Sequence, residues 1–399
     1  MVTILNEWKK YSLDDVCRRI YSGGTPSTKH SEYWNGTINW LSSGETGNRF
    51  IYDTERKITE LGVKKSATKN AYKGNTVVAS AGQGYTRGQA SYLTIDTYVN
   101  QSVIVFDANT DIIDSKFLFY NLSSRYEELR QLSDGTSTRG GLSGWIVKRM
   151  EINLPPLTLQ KQIVDILFTI DDKIEINKAI NINLEQQMKA IFIKMFGDKL
   201  GDDTSSVQLG DLVTIVDNRG KTPPFENQIT EYPIIDVKAL SGDSRVIDYN
   251  NCTKYVSGDT YNTWFRSGHP QPLDILLSTV GSLAEMKIFM GNIGCIAQNV
   301  VGLRSKEISP FYLYQYLSFI KKDLVAYNIG SVQPSIKITH IIKHKIYLPS
   351  EDELLQFNKL AESITNEIYN NCIQNQKLAA LRDSLLPKLM NGEIDVSKV

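Results

Sequence analysis

The feature that most constrains the fold is that this 399-residue chain is written twice. "YSLDDVCRRIYSGGTPS" near the N-terminus returns as "VQLGDLVTIVDNRGKTPP". Further on, "GNTVVASAG" is answered by "LDILLSTVG", "VNQSVIVF" by "IAQNVVGL", and "SKFLFYNLS" by "SPFYLYQYLS". Both copies close alike, with "EINLPPLTLQKQIVDIL" matched by "KIYLPSEDELLQFNKLA". The matching stretches stay about 194 to 199 residues apart, so the chain is a duplicated unit with small insertions. Each copy is long enough to bury its own core.

Within each copy a mixed front part precedes one long helix. The expected division is a globular part over residues 1–155, a helix and linker over 156–204, a second globular part over 205–349, and a final helix and tail over 350–399. Ser12 followed by Leu-Asp-Asp has the form of a helix N-cap with acids in its first turn. Short alternating runs such as "TVVAS" and "SVIVF", separated by glycine turns, read as strands. Pro155 and Pro156, and later Pro349, stop a strand and let a helix begin just after. The helices run about 38 residues, or roughly 57 Å at 1.5 Å per residue.

Along the first helix, Ile170, Ile174, Asn177, Asn181, Leu184, Met188, Ile191 and Met195 recur at alternating steps of four and three, the period of a coiled-coil seam. The second helix repeats it with Ile364, Ile368, Asn371, Asn375, Leu378, Arg382, Leu385 and Leu389. The fold class expected is therefore mixed α/β, with two pseudo-repeated globular domains separated by two long helices that form an antiparallel coiled coil. Paired antiparallel, Asn177 and Asn181 face Asn375 and Asn371, and the four amides set the register at some cost in stability. The competing reading puts them at a solvated edge. Such a pair acts as a ruler between the two globular parts, and duplex DNA with two separated half-sites is the target that suits it. Ile163, Ile166, Leu167, Ile180, Ile182, Phe192 and Phe196 exceed what two helices cover between themselves, which leaves packing on the front parts or docking of partner subunits.

Other features exclude whole classes of function. No apolar run reaches the roughly 18 to 20 residues that span a bilayer, and "MVTILNEWKK" lacks the basic lead and cleavage site of a signal peptide, so the expected location is cytoplasmic. Cys17, Cys252, Cys295 and Cys372 are scattered, which argues against a zinc site or a disulfide framework. His340 and His344 have a helical ligand spacing, but "THIIKHKIYLP" alternates like a strand, so no metal is expected. Charge is balanced overall at 44 basic and 44 acidic residues. Residues 1–155 hold 19 basic against 16 acidic and 205–349 hold 14 against 12, while 156–204 hold 6 against 8 and 350–399 hold 5 against 8. Mildly positive globular parts permit nucleic-acid contact without requiring it.

Catalytic signatures are near misses. "TPPF" at residues 222–225 is close to the Pro-Pro-aromatic motif of amino-methyltransferases, but Thr222 is an uncertain amine acceptor and no glycine-rich cofactor loop accompanies it. "SAGQG" and "SGGTPS" lack the Gly-Lys-Ser/Thr of a P-loop. A binding module accounts for this better than a hidden active site.

The duplicated "G-x-TP" entry, the segment "LPPLTLQKQIVDILFTIDDKIEINKAI" and the closing "LAALRDSLLPKLMNGEIDV" resemble the specificity subunits of type I restriction-modification systems over essentially the whole chain. The resemblance implies two target-recognition domains, one for each half of an interrupted DNA sequence, on long helices that set the gap. It also implies a non-catalytic subunit that carries two modification subunits, which methylate adenine N6, and restriction subunits that translocate and cut DNA. S-adenosylmethionine, ATP and Mg then belong to those partners, and this chain holds no cofactor.

Phosphate contacts call for Lys, Arg, hydroxyls or free backbone amides, and base reading in the major groove favours Arg on guanine and Asn or Gln on adenine. Glycine-containing loops with these residue types are the DNA-binding candidates. In the first copy they are Thr25, Ser27, Lys29 and His30; Gln83, Tyr85, Thr86, Arg87 and Gln89; and Thr136, Ser137 and Arg139. In the second they are Arg219, Lys221 and Thr222; Ser278, Thr279, Ser282 and Lys287; and Ser331, Gln333, Ser335 and Lys337. The same residue types also populate ordinary turns. The copies differ at nearly every such position, which predicts an asymmetric target. The alternatives are a stand-alone enzyme with an unseen site and a protein scaffold with no DNA role.

Overall fold

The computed structural model describes residues 8–82, 86–134, 141–200, 206–330 and 332–396. The chain divides into two compact units, one of residues 1–172 with 378–399, the other of residues 173–377. Both long helices, Leu157–Phe196 and Glu351–Met390, therefore contribute a stretch to each unit.

The first unit holds a five-stranded sheet in the order Cys17–Ser22, Val103–Ala108, Thr76–Ala79, Ala90–Leu93, Phe50–Ile51. Its pairs are antiparallel except the last. The second unit repeats the first four places of that order with Val213–Val216, Val300–Ser305, Ile275–Ser278 and Met286–Ile288, all antiparallel. A two-stranded ribbon recurs as well, Lys9–Ser12 with Glu151–Leu154 and Ser206–Gln208 with Lys345–Tyr347. The copies part between these shared strands. The first unit carries a second sheet of four strands, Arg56–Ile58, Trp34–Leu41, Thr97–Val99 and Lys69–Ala71, where the described residues of the second form the ribbon Tyr232–Pro233 with Tyr255–Val256 and isolated bridges such as Ile234 with Cys295.

Local chemistry accounts for the element ends. Ser12 caps the turn Leu13–Val16 in a full capping box with Asp15. The strand Glu151–Leu154 ends at Pro155, whose ring supplies no N–H, and the long helix starts at Leu157. One segment departs from expectation: Ile338–Ile342 is a short helix and the strand is confined to Lys345–Tyr347. Five residues are too few for periodicity to separate helix from strand. His344 accepts or donates at 2.9 Å to the Tyr327 hydroxyl, and burial pushes its pKa below the ordinary histidine value.

The helix stretches are part of each core. In the first unit Ile163 and Leu167 pack with Phe117, Phe119 and Leu389. In the second, Met188, Phe192 and Phe196 pack with Tyr312, Phe357 and Ala361. Fully burying a side chain such as Phe192 is worth about 1.5–3 kcal/mol. Ile163, Leu167, Phe192 and Phe196 are thus core residues, not surplus helix surface, whereas Ile180 and Ile182 are 40% and 60% exposed.

Each unit also ties its front part to the helices through a buried arginine cluster. In the first, Asp171 on the first long helix accepts from Arg49 at 3.0 Å, from Tyr120 at 2.8 Å and from Arg382 of the second long helix at 2.7 Å. In the second, Arg245 is fully buried and clamps Glu185 with Nε at 3.0 Å and Nη2 at 2.8 Å, while Nη1 donates to Thr365 at 2.9 Å. Arg49 and Arg245 occupy matching places of the repeat, in "NRFI" and "SRVI".

In the second unit the asparagines meet as antiparallel packing requires. Asn177 donates to Asn375 at 2.9 Å and to Gln374 at 2.7 Å, and Asn371 donates to Asn181 at 2.9 Å. Asn177, Asn181 and Asn371 are buried.

Candidate functional site

In each unit the segments that flank two of the three nominated loops meet at one end of the shared sheet, through the same backbone bonds. In the first, Ser80 N–H donates to Ser102 at 2.8 Å and the Ser80 carbonyl accepts from Leu142 at 2.7 Å. In the second, Thr279 N–H donates to Asn299 at 2.8 Å and the Thr279 carbonyl accepts from Ile336 at 2.8 Å. Gly281 N–H also reaches the Pro334 carbonyl at 3.0 Å, and Val280 bridges Ser335. The folded sheet thus brings together segments more than 50 residues apart in sequence, and the entropy of closing such loops grows only slowly with their length.

Thr25, Ser27, Lys29 and His30 are exposed on the first unit, beside buried Pro26. The Thr25 hydroxyl donates to Gln101 at 2.6 Å, and His30 Nδ1 lies 2.9 Å from Glu32. Gln83, Tyr85, Thr136, Ser137 and Arg139 lie outside the described residues. Thr86 is half-buried. Arg87 is only 12% exposed and ion-paired with Asp134, and Gln89 is half-buried with its Oε1 out of solvent. Arg87 is therefore engaged within the protein.

On the second unit Lys221, Thr222, Ser282, Gln333 and Lys337 are exposed and Ser335 is half-buried, while Ser331 lies outside the described residues. Arg219 is gripped by Asp217 in a two-point pair at 2.8 and 2.7 Å, and the guanidinium holds the Asp217 carboxyl below the usual range. Three nominated residues are corrected by burial. Ser278 is fully buried on a strand, donating to the Ser282 carbonyl at 2.5 Å and accepting from Glu285 N–H at 2.8 Å. Thr279 is also fully buried and bonds the Asn299 carbonyl. Lys287 is 2% exposed, with its Nζ donating to the carbonyls of Gly242 and Ser244, and burial lowers its pKa to about 8. These three hold the unit together and present nothing outward.

Sequence reasoning missed two features. One is a cleft of about 550 Å³ on the first unit, lined by Arg18, Arg19, Tyr21, Lys69, Tyr72 and Lys148. Arg19 is paired with Asp107 and Lys148 with Asp14, so part of its positive charge is already balanced. The adjacent arginines of "CRRIYS" were the available signal. The other is Gln101 and Gln298, exposed at the junction of the loops; their signal was the repeated glutamine of "VNQSV" and "IAQNV". Among the described residues no cluster of His, Cys, Asp and Glu is arranged to hold a metal, and no helix is long and apolar enough to cross a membrane.

Two copies of the type I restriction-modification DNA specificity domain match this chain, over residues 6–186 and 201–381, and the chain belongs to that family. It is 26% identical to the MjaIX specificity subunit of Methanocaldococcus jannaschii, with 99% of this chain and 95% of that one aligned. It is 25% identical to the HindI specificity subunit of Haemophilus influenzae, with 98% and 100% aligned. The fold matches the crystal structure of a type I restriction-modification S subunit from M. genitalium with a TM-score of 0.55 at 16% identity, covering 98% of this chain and 97% of that one. The chain is thus a DNA specificity subunit, a non-catalytic component of a multisubunit enzyme.

Proposed function

We propose that each unit reads one half of an asymmetric, two-part duplex DNA target, and that the chain carries two modification subunits together with restriction subunits. The observation that supports this best is the pair of loop junctions. The same backbone bonds join the same segments in both units, yet the exposed residues of the nominated loops differ: the first loop presents Ser27, Lys29 and His30 in one unit and Lys221 in the other, which also exposes Gln333 and Lys337. Units that keep one frame and change the side chains on it read different sequences. Adenine-N6 methylation with S-adenosylmethionine, and cleavage with ATP and Mg, are assigned to the partners. Ile180 and Ile182, exposed on the first long helix, support partner docking.

The test is genome-wide mapping of N6-methyladenine in cells that express the chain with its modification partner, against cells lacking the chain. One interrupted, asymmetric motif should vanish on deletion. An unchanged methylome beside an expressed partner contradicts the reading.

A further inference from the structure

Most nominated loop residues differ between the two units, but two pairs of residues at the loop junctions match, one nominated and one not. Thr25 and Thr222 correspond, and Gln101 and Gln298 correspond, each pair 197 residues apart (222 − 25 and 298 − 101). All four are exposed. Both threonines precede a buried proline, Pro26 and Pro223. Both glutamines follow a buried residue and precede the second strand in the sheet order, Val103–Ala108 or Val300–Ser305, next to the backbone bonds that join the loops.

Burial does not account for their retention, since the side chains stand in solvent. Gln298 moreover holds a φ of 42°, in the left-handed region that a non-glycine residue seldom adopts. Glycine or asparagine would fit that backbone at less cost, so the glutamine side chain is kept for something outside the fold. In the first unit the Thr25 hydroxyl donates to Gln101 Oε1 at 2.6 Å, which orients the amide. The terminal amide carries both a donor and an acceptor, the combination that matches N7 and the N6 amino group of adenine in the major groove.

We propose that Gln101, oriented by Thr25, and its counterpart Gln298 read an adenine at the corresponding position of both half-sites. The divergent loop residues around them read what differs. This assignment rests on the reading of the chain as a two-part DNA reader and names the feature its two half-sites share.

The test uses the chain in complex with its modification subunit, binding a duplex that carries the motif found by methylation mapping. Gln101→Ala should weaken binding about tenfold, as loss of a two-point base contact does. Replacing the shared adenine of one half-site should then cause no further loss in that variant, while replacing it in the other half-site still does. Gln298→Ala should give the mirror result. Gln101→Glu keeps the size of the side chain and loses the donor to N7, so it should weaken binding with an unchanged melting temperature. Wild-type affinity in the alanine variants, a loss that does not depend on the adenine, or a motif without an adenine at matching places overturns the proposal. A wild-type complex that binds all duplexes equally overturns both this proposal and the reading beneath it.

Discussion

Asn371 donates a 2.9 Å hydrogen bond to Asn181 across the two long helices, and both side chains are buried. Both amides are largely out of water, and the Asn181 Oδ1 and the Asn371 N–H meet each other there, while the Asn181 N–H reaches the Ile368 carbonyl at 3.4 Å. Replacing one alone by leucine strands its partner, and should lower the unfolding free energy by about 1–3 kcal/mol, read by chemical denaturation. Replacing both by leucine should recover most of that loss while relaxing the register. If the double variant is as unstable as the worse single one, the pair is not acting as a matched polar contact.

The two arginine clusters should respond differently to the same substitution. Arg245→Met leaves Glu185 buried without a cation, which is expected to cost about 3–5 kcal/mol. Arg49→Met leaves Asp171 still held by Arg382 at 2.7 Å, so its cost should be smaller, about 1–2 kcal/mol. Chemical unfolding of the two variants compares them directly, and Glu185→Leu added to Arg245→Met should restore stability.

Lys287 makes a pH prediction. Burial lowers its folded pKa to about 8 from an ordinary 10.5. Between those values the unfolded chain binds the proton and the folded one does not, so this residue makes stability rise with pH across about 8 to 10.5 and contributes no slope below or above. Lys287→Met should be less stable at neutral pH, because the carbonyls of Gly242 and Ser244 lose their donor. Its deficit relative to the wild type should widen from pH 8 to 10.5. A constant deficit means that Lys287 stays charged in the folded state.

Exposed lysines of the loops should behave as phosphate contacts. Lys29→Ala, Lys221→Ala and Lys337→Ala should each weaken duplex binding by the assembled complex for all sequences alike, and lower the slope of affinity against salt by about one. Ser278→Ala should leave that slope unchanged and lower stability.

Much of this was legible in the sequence, and the reasons for the rest are physical. The repeat marked the duplicated unit, Ser12 and the acids after it marked an N-cap, and the spacing of Ile170 to Met195 marked the buried helix face. Ser278, Thr279 and Lys287 misled because a run of small hydroxyls and a lysine beside glycine has the composition of an exposed loop. In the fold, Met286–Ile288 is a strand and Ser278 ends another, and only the strand pairing buries them. The arginine clusters were unreadable for a related reason. Arg245 and Glu185 stand 60 residues apart, and no local pattern announces that pairing. Gln101 and Gln298 sit beside no glycine-rich turn in sequence, and only the fold sets them at the loop junctions.

The most direct test of the central claim, that each unit reads one half of the target, is an exchange of residues 1–155 for the same segment of a relative with a different target. Methylomes of cells carrying either chain with the modification partner are then compared. The account predicts that one half of the interrupted motif changes and the other half is untouched. A motif that changes in both halves, or in neither, contradicts it.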